Sequence, residues 1–470
     1  MIHDIVAAIN NVLWGDGQVL IFMLVIAGVW FTVALRGVQI KHFFHMFSVM
    51  KGSTKQDSAG KGISSFQALC TSLSARVGTG NLAGVAVAIS LGGAGAVFWM
   101  WVIAILGMAT GFAESVLGQL YKVKDGKGEF RGGPAYYIKQ GLNNSFLAIT
   151  FSLCLFLGYG FIFSAVQANT ITDALNHAYN IPTLYSGVVI IGLAALIVVG
   201  GMKRIAKFAE LIVPFMGGIY VLVAIGVTIV NIEHVPGLVW QIIASALGLE
   251  EAASGALGAA IKNGIQRGLY SNEAGSGSVP HAAAAATPNP NHPVSQGYVQ
   301  MLGVFVDTIV LCTCTAVIIL LAGGSQSDQM EGIRLTQDAM STHLGAGGSD
   351  FVAAAISLFA FTSVVANYAY GESNLHIFKL DNKYGKIVYT LGYLAMILWG
   401  SMAALPQVWA MADMALGMMT VINIIAIVLM TPTIVSISKD YFSKHAAGEK
   451  PTYKAGDCTI QGKSESGIWD

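Results

Sequence analysis

The stretch Ser74-Ala-Arg-Val-Gly-Thr-Gly-Asn-Leu-Ala-Gly84 lies inside an apolar segment that runs from about Phe66 to Ser90. A membrane helix through such a segment should be unbroken. Here Gly78 and Gly80 flank Thr79, with the charged Arg76 and the amide Asn81 close by. Glycine costs a helix about 1 kcal/mol per site relative to alanine, so two of them within three residues favour local unwinding. Unwound backbone survives at membrane depth only where it is buried in protein or lines a hydrated cavity. One reading is a discontinuous helix whose bare amides and carbonyls hold a small polar solute and an ion. The other is close helix packing through small residues.

Composition supplies the context. Of 470 residues, 54% are hydrophobic and only 11% charged, against about 25% charged in a soluble domain. The mean hydropathy is +0.64. The chain therefore reads as a polytopic membrane protein, with the lipid bilayer as its solvent. Formal net charge is zero, and no nucleic-acid partner is expected. Its 55 glycines suit helices that pack closely or break. The five cysteines form no CxxC pair, and four fall in apolar segments. This indicates neither a disulfide framework nor a metal cluster. Met1 to Asn11 lacks the pattern of a cleaved signal, so the first apolar segment is expected to direct insertion itself.

A spanning helix needs about 20 apolar residues. Segments of that kind lie near 18–36, 66–91, 96–120, 146–170, 183–200, 207–230, 255–286, 298–322, 350–371, 387–404 and 408–431. The expected fold is thus all-α and polytopic, with about 11 transmembrane helices. Basic residues alternate between the connections. Lys41, Lys51, Lys55 and Lys61 fall in one loop, Lys122, Lys124, Lys127, Arg131 and Lys139 in the next of the same parity. Lys203, Arg204, Lys207, Lys379, Lys383, Lys386 and the lysines after Lys439 continue the series. The intervening loops hold Asp173, Glu233, Asp328 and Asp338, and Arg334 as their single basic residue. Under the positive-inside rule the N-terminus lies outside and the C-terminus in the cytoplasm.

A second break interrupts the apolar segment at Tyr270-Ser-Asn-Glu-Ala-Gly-Ser-Gly-Ser278. Gly275-Ser276-Gly277 follows Gly78-Thr79-Gly80 by 197 residues, and the segments after each break keep nearly that offset. Each break therefore opens a unit of five segments, and an odd number inverts the second unit. Such an inverted repeat, with a glycine-broken first helix in each half, points to a transporter site at mid-bilayer. The expected organisation is an N-terminal extra helix and loop over 1–62, a first five-helix repeat over 63–232, a second over 233–440 and a cytoplasmic tail over 441–470.

A broken helix offers free N–H groups where the second half begins, which suit a carboxylate. Free carbonyls where the first half ends suit a cation. Thr79, Ser276 and Asn81 add hard oxygen ligands. Gln167 either faces the cavity or hydrogen-bonds between helices. Thr362 and Ser363 either ligate an alkali ion or bond back to a carbonyl one turn earlier; Asn367 lies one turn on. Ionisable residues in apolar segments are functional suspects: Arg76, Glu114, Glu210, Arg267, Glu273, Asp307, Glu372 and Asp413. Glu114, Glu210, Arg267 and Glu372 are expected near cytoplasmic helix ends, in gate or loop ion pairs. Arg76 and Glu273 flank the two breaks and can pair with each other or meet substrate. Asp307 is either a structural partner or an ion-coupling carboxylate. No HExxH, P-loop or Cys/His cluster is present, so no enzymatic chemistry is expected.

The residues also carry a resemblance. Phe66-Gln-Ala-Leu-Cys-Thr-Ser-Leu-Ser-Ala-Arg-Val-Gly-Thr-Gly-Asn-Leu-Ala-Gly-Val-Ala86, Gly95-Ala-Val-Phe-Trp-Met-Trp101, Arg131-Gly-Gly-Pro-Ala135, Ser271-Asn-Glu-Ala-Gly-Ser-Gly-Ser278 and Leu405-Pro-Gln-Val-Trp409 resemble the signatures of the alanine/glycine:cation symporter family. The likeness extends to about Tyr441. It implies a bacterial inner-membrane symporter that moves alanine or glycine with sodium, and a leucine-transporter-type 5+5 inverted repeat preceded by one extra helix. It implies no cofactor beyond the coupling ion. The carbonyls of Ser74 and Val77 with the hydroxyls of Thr362 and Ser363 would form the sodium site. The amides from Gly78 through Thr79 and Gly80 to Asn81 would receive the substrate carboxylate, with Gln167, Gly275 and Ser276 completing the pocket. Arg76 stands where relatives of the fold carry Thr, and Asn367 where they carry Trp. Side-chain selectivity among alanine, glycine, serine and D-isomers stays open, as does oligomeric state. A proton-coupled permease using Asp307 or Glu273, and a non-transporting amino-acid sensor, are the alternatives.

Overall fold

The computed structural model describes residues 2–52, 62–126, 128–198, 201–249, 254–324 and 332–469. Lys55, Lys61, Lys127 and Asp328 of the loop-charge pattern lie outside the described residues. Within them the chain is all-helical apart from two antiparallel two-residue strands, Val123–Lys124 and Phe130–Arg131. Among the described residues, six helices are long and apolar enough to cross a membrane: Gly95–Leu120, Ser145–Tyr179, Gly201–Val230, Pro293–Leu321, Gly347–Leu375 and Leu405–Leu429. Val19–Ala34, Gly80–Gly92, Thr183–Val198 and Ile232–Leu247 are shorter apolar helices.

Local signals explain several starts. Ser64 and Gln67 form a reciprocal capping box at 3.0 Å in both directions ahead of Ser65–Arg76. Asn144 caps the helix from Ser145, and Asn382 caps Lys383–Met402. Pro134 and Pro293 occupy first-turn positions, where the missing N–H costs nothing.

Side chains are distributed in reverse of a water-soluble protein. Along Gly201–Val230, Leu211, Leu222 and Ile229 point outward at 73%, 69% and 64% exposure, while Ala209, Val213 and Tyr220 are buried. Arg76, Glu114, Gln167, Asp307, Thr362 and Ser363 are all buried. At roughly 25 cal/mol per Å² of apolar surface, such an exterior is stable only against lipid. The chain is a multi-pass membrane protein.

Every apolar segment expected to span carries helix, and the two glycine-marked segments are broken: Ser65–Arg76 from Gly80–Gly92, and Ser254–Asn272 from Val279–Ala285. Further helices lie in stretches read as connections, among them Phe43–Gly52, Pro134–Gly141, Ile232–Leu247 and Ile333–Leu344. Each is too short to meet a 20-residue criterion, yet buries one face; Leu238 and Ile242 turn inward where Trp240 turns out. The final helix, Thr431–Ala446, reaches past the expected start of the tail. The tail then folds back on the molecule. Trp469 is 2% exposed and donates to Leu120 O at 3.1 Å, and Tyr121 donates to Gln461 O at 2.5 Å.

Candidate functional site

The first break occupies three residues. Val77 leaves the helix with φ −74° and ψ 91°, and the chain re-enters through a π-type turn, Gly80–Gly84. The glycines are needed here for close approach. A Cβ on Gly78 would lie 2.4 Å from Ser363 Oγ and 2.6 Å from Gln167 Oε1, and one on Gly80 would lie 3.1 Å from Ser271 Cα. The first break is therefore wedged between the Gly347–Leu375 helix, the Ser145–Tyr179 helix and the second broken helix. The free amides at this break are held by neutral side-chain oxygens. Gln167 Oε1 accepts from Thr79 N at 2.9 Å and Thr79 Oγ1 at 2.8 Å, while Asn81 Oδ1 accepts from Gly78 N at 3.1 Å.

The second break is built differently. Glu273, Gly275 and Gly277 have φ of 56°, 90° and 85°, the left-handed region that only glycine enters freely. Its amides receive a carboxylate of the protein itself. Glu114 Oε1 accepts from Gly275 N and Oε2 from Gly277 N, both at 3.1 Å. Asn423 donates to Glu114 Oε2 at 2.8 Å and to Gly275 O at 2.9 Å, and Tyr137 donates to Asn423. Glu114 was expected in an ion pair near a helix end. It is instead a fully buried anchor of the second break, because the exposed amides of a broken helix demand an acceptor where water is absent. Gly275 and Ser276 consequently face Glu114 and Glu273, Ser276 Oγ donating to Glu273 O at 2.7 Å, and neither lines the cavity beside the first break.

That cavity is lined by Ala75, Arg76, Tyr159, Phe163, Gln167, Tyr270, Glu273, Asn367 and Leu416. It brings together Arg76, Gln167 and Asn367 from three separate segments. Its free space of about 10 Å³ holds about one water, so an amino acid enters only if the walls move. Arg76 and Glu273 share this cavity but are not hydrogen-bonded to each other; Glu273 takes Ser278 Oγ at 2.6 Å. Tyr270 packs at a tilt against Trp409, with ring centroids 4.7 Å apart and planes 42° from parallel. Arg267 lies over Trp409 at 4.6 Å and pairs with Asp413 at 2.6 Å. Arg267 thus makes a buried ion pair about one turn before the second break. Glu210 meets Gln67 at 2.9 Å and Glu372 pairs with Lys386.

On the far side of the first break, Ser74 Oγ donates to Thr362 O at 2.8 Å. Ser363 Oγ is shared between Val77 O at 3.3 Å and Phe359 O at 3.2 Å, and Thr362 Oγ1 donates to Phe359 O at 2.8 Å. Ser74, Val77, Thr362 and Ser363 are all buried. The two hydroxyls bond back along their own helix, as serine and threonine commonly do, and that of Ser363 also reaches the carbonyl of Val77 at the end of the first half-helix. The set is neutral and all-oxygen, which fits a monovalent hard cation. No group of three or more His, Cys, Asp or Glu that could hold a metal occurs among the described residues.

Asn81 and Asp307 join the two broken helices. Asn81 Nδ2 donates to Asp307 Oδ1 at 2.8 Å, and Ser271 and Thr308 donate to Asp307 Oδ2 at 2.6 and 2.8 Å. Asn81 is therefore turned away from the cavity. Asn423 escaped sequence reasoning because it is one polar residue in an apolar run; Tyr270 and Ser271 stood in the second break without a role of their own, and Tyr159 carried no signal beyond aromaticity.

Similarity to known proteins agrees with this architecture. Residues 1–455 match the model of the sodium:alanine symporter family. The chain is 44% identical to the amino-acid carrier protein AlsT of Bacillus subtilis (strain 168), covering 96% of this chain and 95% of that one. It is 44% identical to the probable sodium/glutamine symporter GlnT of the same organism, over 96% and 93%. It is 36% identical to the sodium/alanine symporter AgcS of Methanococcus maripaludis, over 93% and 97%. These relatives are carriers and not enzymes, and with a match of this extent the chain belongs to the sodium:alanine symporter family.

Proposed function

We propose that the protein is a sodium-coupled symporter that imports small neutral amino acids, alanine and glycine among them, by alternating access. The observation that carries this reading is the meeting of the first break with Thr362 and Ser363, through Ser74 Oγ to Thr362 O at 2.8 Å and Ser363 Oγ to Val77 O at 3.3 Å. Sodium would draw both hydroxyls off Phe359 O and onto itself, with the carbonyls of Ser74 and Val77 as further ligands. That exchange ties the two halves of the site together. A substrate carboxylate, a stronger acceptor than a carboxamide, would displace Gln167 Oε1 from Thr79 and take the amides of Gly78 to Asn81. Release of Gln167 would enlarge the cavity, which couples ion, substrate and wall movement. Linkage then requires sodium and amino acid to raise each other's affinity by the same factor.

The two breaks, each followed by helices in the same order, support eleven spans arranged as an inverted 5+5 repeat after one extra helix. Basic loops support an external N-terminus and a cytoplasmic C-terminus in a bacterial inner membrane. Glu114 seals the second break, so the first break is the one left for substrate. Thr362→Ala tests the ion site: the sodium concentration for half-maximal alanine uptake should rise at least about ten-fold, a loss of about 1.4 kcal/mol, and an unchanged sodium dependence would remove Thr362 from the site.

A further inference from the structure

The cavity beside the first break contains polar groups that the protein itself does not satisfy. Arg76 is 2% exposed, and none of its three guanidinium nitrogens has a hydrogen-bond partner among the described residues. Asn367 Oδ1 and the Tyr270 hydroxyl, in the same cavity, are likewise buried and unpartnered. Buried polar groups are nearly always hydrogen-bonded, and a guanidinium without a hydrogen bond is a costly exception even with the carboxylates of Glu114, Glu273 and Asp307 near enough to act on its charge. Arg76 Nη1 lies against Gly303, where a Cβ would come within 2.4 Å of it, so the glycine leaves room for the guanidinium.

We propose that Arg76, Asn367 and Tyr270 form a subsite for the substrate's side chain, and that the preferred substrate is an amino acid with an uncharged side chain carrying both a hydrogen-bond acceptor and a donor, a hydroxyl or a carboxamide. Arg76 donates to the acceptor and Asn367 Oδ1 receives the donor, with the Tyr270 hydroxyl serving either. An acidic side chain is disfavoured because Glu273 lines the same cavity, and a basic one because Arg76 does. Alanine and glycine remain substrates but leave all three groups unpaired and bind more weakly, since a site built to hydrogen-bond a group discriminates against the analogue that lacks it. This rests on the reading that the cavity is the substrate site.

Binding to the purified full-length protein in sodium buffer tests it. Serine is compared with 2-aminobutyrate, asparagine with norvaline and glutamine with norleucine. At least one polar member should bind ten-fold or more tightly than its apolar counterpart, and Arg76→Gln and Asn367→Ala should each bring that ratio below three. If Arg76→Gln does not fold, Asn367→Ala carries the comparison. Ratios near one in the unaltered protein, or ratios that survive the substitutions, overturn the subsite. Binding with the predicted preference but no gradient-driven uptake would sink the transport reading and leave the subsite standing; sodium-driven alanine uptake with no preference would do the reverse.

Discussion

A Cβ added to Gly80 would lie 3.1 Å from Ser271 Cα and 3.3 Å from the Tyr270 ring. Backbone stands on the other side, so the contact cannot be relieved by a rotamer change. Gly80→Val should therefore part the two broken helices and abolish alanine binding, read by equilibrium binding on folded protein; wild-type affinity in that variant would remove the crossing from the site. Gly275 and Gly277 serve another purpose, since their φ values of 90° and 85° strain any other residue. Their amides depend on Glu114. Glu114→Ala leaves two buried N–H groups and Asn423 Nδ2 without that acceptor, at about 1–3 kcal/mol for each unsatisfied group. It should lower the thermal midpoint in detergent sharply, and Glu114→Gln, which keeps one acceptor, should lower it less. Equal, small shifts in both would contradict the anchoring role. The matched Gly-[Ser/Thr]-Gly triplets were legible in the sequence as a pair. Their different physical causes were not, because Glu114 and Gly275 are 161 positions apart and only the fold brings them together.

Among elements, the start of the Pro293–Leu321 helix links membrane core to tail. His292 caps it by accepting from Val294 N at 3.2 Å and contacts Asp440 of the last helix at 3.1 Å. Burial holds the His292 imidazole down at about 4, although Asp440 pulls the other way. The unfolded chain binds a proton near 6.5 and the folded chain only near 4. Stability from this residue is therefore complete above about 6.5 and is lost as pH falls toward 4, by up to about 3 kcal/mol. The thermal midpoint should fall across that window, and His292→Asn should flatten the fall; a pH profile identical to the unaltered protein would contradict it. Sequence placed the long apolar helices and both breaks, since length and glycine are local signals. It passed over Ile232–Leu247 and Ile333–Leu344, whose single buried faces matter only against neighbours, and it left the tail free where Trp469 and Gln461 bind it to Leu120 and Tyr121.

At the scale of the whole molecule, apolar residues face outward and a polar seam runs along the two breaks. Family, fold class and transport were all readable from composition and motif, because each is written in many residues at once. The proposed ion and substrate contacts are written in the sequence only as candidates, since Thr362, Ser363 and Gln167 have equally ordinary uses in an apolar helix. Arg76 shows the limit most clearly: its charge was visible, its lack of partners was not. Alanine uptake into sealed proteoliposomes, under an imposed inward sodium gradient and then an imposed inward proton gradient without sodium, tests the central claim directly. Accumulation against a concentration gradient with sodium and none with protons alone is the predicted result; equal accumulation with protons alone would contradict it.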